Sequence, residues 1–199
     1  SLNYAEVSPK PLGASIWAGL GSGSTRGPDN TWSSTPSFPT GLPFASSTRL
    51  TNTNNLGVIT VNGITFDAAA GAFVLNGNDI TLGGNIAFNG NPANRVTQTV
   101  NLNMACSVSA LDIDAPANGS LVFGGAITSS ADYSLNKTGA GTLTLSATNS
   151  IAGMGVNGGT NIITGNTTIN GNGDGNDRLY VADGDFLNGC KGTLVIQPG

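Results

Sequence analysis

Ile80-Thr81-Leu82-Gly83-Gly84 stands twenty-one residues after Ile59-Thr60-Val61-Asn62-Gly63, and both stretches read apolar, hydroxyl, apolar, turn. The pattern continues along the chain. Val61, Leu82, Leu102, Phe123, Leu143 and Ile163 follow one another at steps of twenty or twenty-one. Two positions before them stand Ile59, Ile80, Val100, Leu121, Gly141 and Asn161; two positions after stand Gly63, Gly84, Met104, Gly125, Leu145 and Gly165. Residues two apart in a strand face the same way, so the apolar columns belong to one face and the recurrent Gly to a corner. Asn62-Gly63, Asn76-Gly77, Asn89-Gly90 and Asn118-Gly119 mark turns between the strands. No sustained helical stripe is found. A fixed period of this size is the signature of stacked supersecondary units, and it predicts an all-β parallel β-solenoid with coils of about 20 residues.

In that register Ile59, Val61, Ile80, Leu82, Val100, Leu102, Leu121, Phe123, Leu143 and Ile163 form the buried core. Thr60, Thr81, Asn101, Val122, Thr142 and Ile162 form an outward ladder. An antiparallel sandwich also uses short strands and turns, but its strands recur every 8–12 residues or so. The constant offsets between neighbouring columns favour the solenoid.

Composition agrees with such a fold. Only 9% of the 199 residues are charged, Gly contributes 30, and the formal net charge is −4. The pI is about 4.4. No basic patch exists to neutralise phosphates, which argues against a nucleic-acid partner. No apolar run is long enough to span a bilayer, so membrane insertion is not expected. The chain begins at Ser1 without Met, as a processed or trimmed chain would. Six of the nine prolines lie at Pro9, Pro11, Pro28, Pro36, Pro39 and Pro43. Residues 1–50 therefore read as a Pro/Gly-rich leader or cap with short extended pieces, residues 51–185 as the solenoid, and residues 186–199 as a carboxy-terminal strand or cap.

The segment Leu135-Asn136-Lys137-Thr138-Gly139-Ala140-Gly141-Thr142-Leu143-Thr144-Leu145-Ser146 resembles the autotransporter-associated β-strand repeat of bacterial surface proteins, Leu-x-Lys-x-Gly-x-Gly-x-Leu-x-Leu. An Asn-rich turn and Asn157-Gly158-Gly159-Thr160 follow, as in the repeat, after an insert at residues 151–156. Gly63-Ile64-Thr65-Phe66 followed by the segment at residues 80–84 is similar to the lead-in of the same proteins, and Trp32-Ser33-Ser34 matches more weakly. The resemblance covers roughly residues 30–170. It implies a right-handed parallel β-helix passenger, secreted and displayed on a bacterial surface, without a shared active site. The membrane barrel of such proteins is absent from these residues, which suits a cleaved passenger piece or a stand-alone secreted relative.

Chemistry is sparse. The chain has no His, which removes Ser-His and Cys-His nucleophile systems and the commonest zinc ligand. Asp112 and Asp114 could share a strand face as a carboxylate pair, or form a solvated strand end before Ala115-Pro116. The densest acidic cluster is Asp174, Asp177, Asp183 and Asp185. Asn172-Gly173-Asp174-Gly175-Asn176-Asp177-Arg178-Leu179-Tyr180 is similar to the calcium-binding nonapeptide of secreted β-rolls, and its carboxylates would suit Ca²⁺. Such sites sit between tandem repeats, and one repeat occurs here, so a polar Gly-Asp closing turn is the competing reading. Calcium is the only cofactor suggested. Trp17, Trp32, Tyr133 and Tyr180 could stack on sugars, but no column aligns them. An ice-binding face needs a regular Thr array, which Val122 and Ile162 interrupt in the ladder above.

Cys106 follows the third rung, and Cys190 follows the place of a seventh, roughly 19 Å away in a regular stack. A disulfide tolerates a Cα separation of only about 7 Å. An intramolecular bond made by a tail that folds back is favoured over free thiols and over an intersubunit bond. Leu2, Tyr4, Val7, Ile16 and Trp17 in the leader, with Leu194 and Ile196 in the tail, are the expected assembly residues. Leader strands added to the open end of a second copy would give a head-to-tail homopolymer. The expected function is thus a secreted, non-enzymatic structural protein of the bacterial cell surface, a self-assembling extracellular filament subunit. A glycan-binding adhesin passenger and a polysaccharide-acting β-helix enzyme are the competing functions.

Overall fold

Short strands bounded by Gly and Asn, each with an alternating inward apolar residue, stack only if the chain returns to the same place once per coil. The computed structural model describes residues 41–45, 47, 50–54, 57–90, 95–129, 134–170, 179–181 and 192–197, and it is a parallel β-solenoid. Among these residues there is no helix.

Each coil holds three strands. The first has β1 (Leu42–Phe44), β2 (Thr51–Asn54) and β3 (Ile59–Val61); the second β4 (Ile64–Phe66), β5 (Val74–Gly77) and β6 (Ile80–Leu82). The third has β7 (Ile86–Phe88), β8 (Thr97–Val100) and β9 (Met104–Cys106); the fourth β10 (Ala110–Asp114), β11 (Ser120–Phe123) and β12 (Ile127–Ser129). The fifth has β13 (Ser134–Thr138), β14 (Thr142–Leu145) and β15 (Asn149–Ile151); the sixth β16 (Gly153–Val156), β17 (Gly159–Ile163) and β18 (Thr167–Ile169). A further β19 (Leu179–Val181) and β20 (Gly192–Ile196) extend two of the sheets. The strands stack into a first sheet beginning with β1, a second beginning with β2 and a third beginning with β3. β1 lies within the span read as leader, and β20 within the carboxy-terminal tail.

The ten expected core residues are all buried, none more than 8% exposed, and neighbouring coils run parallel. The columns themselves are corrected. Ile59 pairs with Ile80 and Val61 with Leu82, as expected, but Leu82 pairs next with Cys106, not Leu102. In the second sheet Leu121 pairs with Leu143, and Phe123 with Leu145. Three strands per coil share one binary pattern, so a count of about 20 residues steps from the third sheet into the second without losing an apolar match. The true coil is longer and uneven. Leu42, Ile64 and Ile86 are successive partners at steps of twenty-two, whereas Asn149 meets Thr167 across a step of only eighteen.

The outward ladder is corrected with it. Thr60 and Thr81 continue through Ala105, Thr128, Ser150 and Thr168 on the third sheet. Val122 and Ile162 belong to the second sheet. Rung-to-rung amide bonds do form: Asn101 Nδ2 donates to Asn76 Oδ1 at 2.8 Å. The interior is one apolar cluster. In its first coils Phe44, Phe66, Phe73 and Phe88 pack ring to ring at centroid distances of 5.1–6.3 Å. At the corners close approach demands Gly: a Cβ on Gly84 would lie 2.1 Å from Asn62 O.

Candidate functional site: corner, outer face and open end

The corner between β13 and β14 is built by the segment 135–146. Leu135 and Lys137 alternate inward from β13, and Leu143 and Leu145 from β14. Lys137 stands in register between Ile113 and Val156 and is fully buried. A charge in such a column is tolerated only with close partners. Its Nζ donates to the carbonyl oxygens of Thr138, of Gly139 at 2.8 Å and of Gly158 at 3.3 Å. An ammonium has three donors and no acceptor, so the three carbonyls of two stacked corners use all of them. Burial pushes Lys137 down to about 8, against the pull of the nearby Asp114 carboxylate. Gly139 has φ +71°, and a Cβ on Gly141 would lie 2.2 Å from Pro116 O. Every fixed position of the motif thus has a structural task, and Lys137 is enclosed rather than offered to a substrate.

Asp112 and Asp114 do face the same way, outward from β10, and each meets a polar partner one coil on. Asp112 Oδ1 accepts from Asn136 Nδ2 at 3.3 Å, and Asp114 Oδ1 from Thr138 Oγ1 at 3.3 Å. Among the described residues no group of three or more Cys, Asp or Glu is placed to hold a metal ion.

Buried amides tie other coils together. Gln98 Oε1 accepts from Phe73 N and its Nε2 donates to Gly71 O, both at 2.9 Å. Asn149 Oδ1 accepts from Ile127 N at 3.0 Å, while its Nδ2 donates to Ala147 O at 2.9 Å. Asn161 is less well served: its Nδ2 meets Met154 Sδ at 3.5 Å, and its Oδ1 has no partner among the described residues. The sequence columns contain Asn161 at an inward place but miss Gln98 and Asn149. Their signal is a polar residue at an inward place of a strand whose neighbours alternate apolar, as in Thr97-Gln98-Thr99-Val100.

The carboxy-terminal end exposes apolar side chains: Leu179 is 43%, Val181 37% and Ile196 69% exposed. A recess there is lined in part by Ile163, Thr167, Ile169, Leu179 and Ile196. Of the expected assembly residues, Ile196 is on this end, and Leu194 lies on β20 opposite Asn161. Leu2, Tyr4, Val7, Ile16 and Trp17 fall outside the described residues, as do Asp174, Asp177, Asp183, Asp185, Trp32 and Tyr133. Cys106 is a buried free thiol at the end of β9, and burial pushes it up to about 11. Cys190 falls outside the described residues. No helix among the described residues is long and apolar enough to cross a membrane.

Comparison of the chain with protein-family models, with curated proteins and with solved structures returned no match. The resemblance to the autotransporter-associated repeat rests on the quoted residues alone.

Proposed function

We propose that this chain is a secreted, non-enzymatic structural subunit of a bacterial surface, which assembles head to tail into an extracellular filament. The observation that carries the reading is the carboxy-terminal end, where Leu179, Val181 and Ile196 are exposed beside the last strands of all three sheets. A solenoid end of this kind presents unpaired main-chain groups and apolar residues, which proteins either cap or use for association. Strands added from a second copy satisfy both, and a head-to-tail contact that does not close propagates. The surface location is supported by the resemblance of residues 135–146.

Ile196→Asp places a charge on this end, at a side chain that is 69% exposed and stacks on Ile163 as the last of its column among the described residues. Wild-type protein at high concentration should form filaments in electron micrographs and sediment heterogeneously, and Ile196→Asp should stay monomeric. Deleting residues 1–12 should also abolish assembly. A monomeric wild type, or unchanged filaments from the deletion, would contradict the reading. Turnover in a polysaccharide screen would replace it with an enzyme, and saturable glycan binding without turnover with an adhesin.

A further inference from the structure

The corrected register changes what the second sheet presents outward. Thr97, Ser120, Thr142, Thr160 and Thr193 stand in direct register on five successive strands. Beside them run Thr51, Val74, Thr99, Val122, Thr144, Ile162 and Val195, one on each of the seven strands and every one β-branched. Val122 and Ile162 alternate with Thr99 and Thr144, so they interrupt the hydroxyls of this column but keep its β-branched shape; the unbroken hydroxyl column is the one from Thr97 to Thr193. All twelve side chains are exposed or part-exposed, and none is charged or aromatic. No hydrogen bond ties their hydroxyls to another described residue, whereas Ser146 and Thr164 in the adjoining column bond to backbone carbonyls.

The arrangement is a two-dimensional lattice. Rungs repeat about every 4.8 Å, and residues two apart in a strand lie about 6.6 Å apart. β-Branched side chains are stiff at χ1, so methyls and hydroxyls keep fixed positions at little entropic cost. A hydroxyl both donates and accepts, which lets each rung anchor water in a position that the next rung repeats. The methyls between offer no competing hydrogen bond. Both spacings are close to repeats of the oxygen lattice of ice. The twelve positions carry neither charges, which would impose radial hydration shells, nor the aromatic rings on which sugars stack; Arg95 stands at the border of the face, two residues before Thr97. We propose that the outer face of the second sheet binds ice.

The third sheet is the built-in control. Its outward file Thr60, Thr81, Ala105, Thr128, Ser150 and Thr168 is a single column, flanked by Asp79 and Asn103, which bond to each other at 2.9 Å. The test compares wild type, Thr144→Lys and Thr128→Lys by freezing hysteresis, ice-crystal shaping and partition into slowly grown ice, with circular dichroism and thermal unfolding to show that both variants fold. Wild type and Thr128→Lys should shape ice and enter it. Thr144→Lys should lose hysteresis roughly tenfold at equal concentration. Wild-type protein that leaves ice growth unchanged overturns the proposal, as does equal loss in both variants. A dimer abolished by Thr144→Lys, or Thr144-dependent binding to insoluble neutral polysaccharide without any effect on ice, assigns the face to another occupant and also overturns it.

Discussion

The wide coils and the narrow coil of this solenoid are packed differently. Between β3 and β12 the steps from partner to partner run from twenty-one to twenty-seven, and the enclosed space takes Phe66, Phe73, Phe88 and Phe123. From the fifth coil to the sixth the steps shrink to eighteen or nineteen. There Lys137, Asn149 and Asn161 lie among Leu135, Leu143, Leu145, Ile151, Met154 and Val156, without a Phe among the described residues, whereas the wide coils bury Asn52, Asn54 and Gln98 beside their rings. At its corner the Lys137 ammonium donates to three carbonyls, those of Thr138, Gly139 and Gly158. Burying a Phe contributes about 1.5–3 kcal/mol and a net hydrogen bond about 0.5–1.5 kcal/mol, rising to roughly 3 when one partner is charged. Ring packing therefore distinguishes the wide coils, while in the narrow one a buried charge joins the polar ties that both regions carry.

The largest expected effect tests the first half of that contrast. Phe66→Ala should destabilise by about 3–5 kcal/mol, because its ring packs on Phe44, Phe73 and Phe88 and cannot be replaced by collapse of a shared stack. Met154→Ala should cost less, about 2–3 kcal/mol, at the flexible low end for a buried Met. Urea unfolding of both variants measures the difference. Equal costs would break the distinction.

The same contrast explains what the sequence can and cannot reveal. Alternation in Ile59-Thr60-Val61 and Ile80-Thr81-Leu82 is enough to predict strands, inward residues and parallel stacking. It does not identify the sheet. Leu102 and Cys106 both lie inside, on either side of the corner at Asn103, and only that corner decides which of them follows Leu82. The uneven coil length is likewise set in turns, whose residues carry no periodic signal. Lys137 is visible as a motif position, but its burial depends on Gly158 from the next coil. The ice-facing columns are hidden for the same reason: a one-sheet error in register mixes Thr60 with Val122.

The next effect is a pH dependence. Folded Lys137 is pushed down to about 8 from an ordinary value of 10.5. Between these values the unfolded chain holds a proton that the folded chain has released, so stability should rise as pH increases from about 8 to 10.5. Below that window both states are charged and the contribution is a constant cost. The limit is roughly 3 kcal/mol for the whole span, lowered in practice by the carbonyls that hold the charged form. Lys137→Met removes the rise and takes the ammonium from the Gly139 and Gly158 carbonyls, while Thr138 O keeps its bond from Ala115 N, so the variant should be less stable than wild type at pH 7 by about 1–3 kcal/mol. Denaturant curves for both proteins at pH 7 and pH 10 give the answer. Parallel shifts in the two proteins would remove Lys137 as the cause. At the same corner Gly141→Ala, whose Cβ would press on Pro116 O and Gly119 O, should cost about 1–3 kcal/mol without any pH dependence.

The smallest effect concerns opening rather than stability, and it asks whether the two regions unfold together. Cys106 is inside the third coil, in register with Leu82 and Ser129, and burial keeps its thiol protonated up to about 11. Alkylation needs the thiolate and access to it, so the native protein at pH 8 should label Cys106 only through openings that expose that coil. An Ile169→Cys variant puts a thiol on β18, the last strand of the third sheet, where one side has no partner strand among the described residues. Nearest-neighbour stacking makes such an end the first part to fray. Mass spectrometry of the two labelled positions in one sample should show position 169 modified well before Cys106, with the Cys106 rate falling to that of global unfolding. Addition of a filament-forming concentration of unlabelled wild-type protein should slow position 169 and leave Cys106 unchanged, because only the open end gains a neighbour. If both positions label at one rate, the wide and narrow coils form a single cooperative unit, and the division between them describes packing alone.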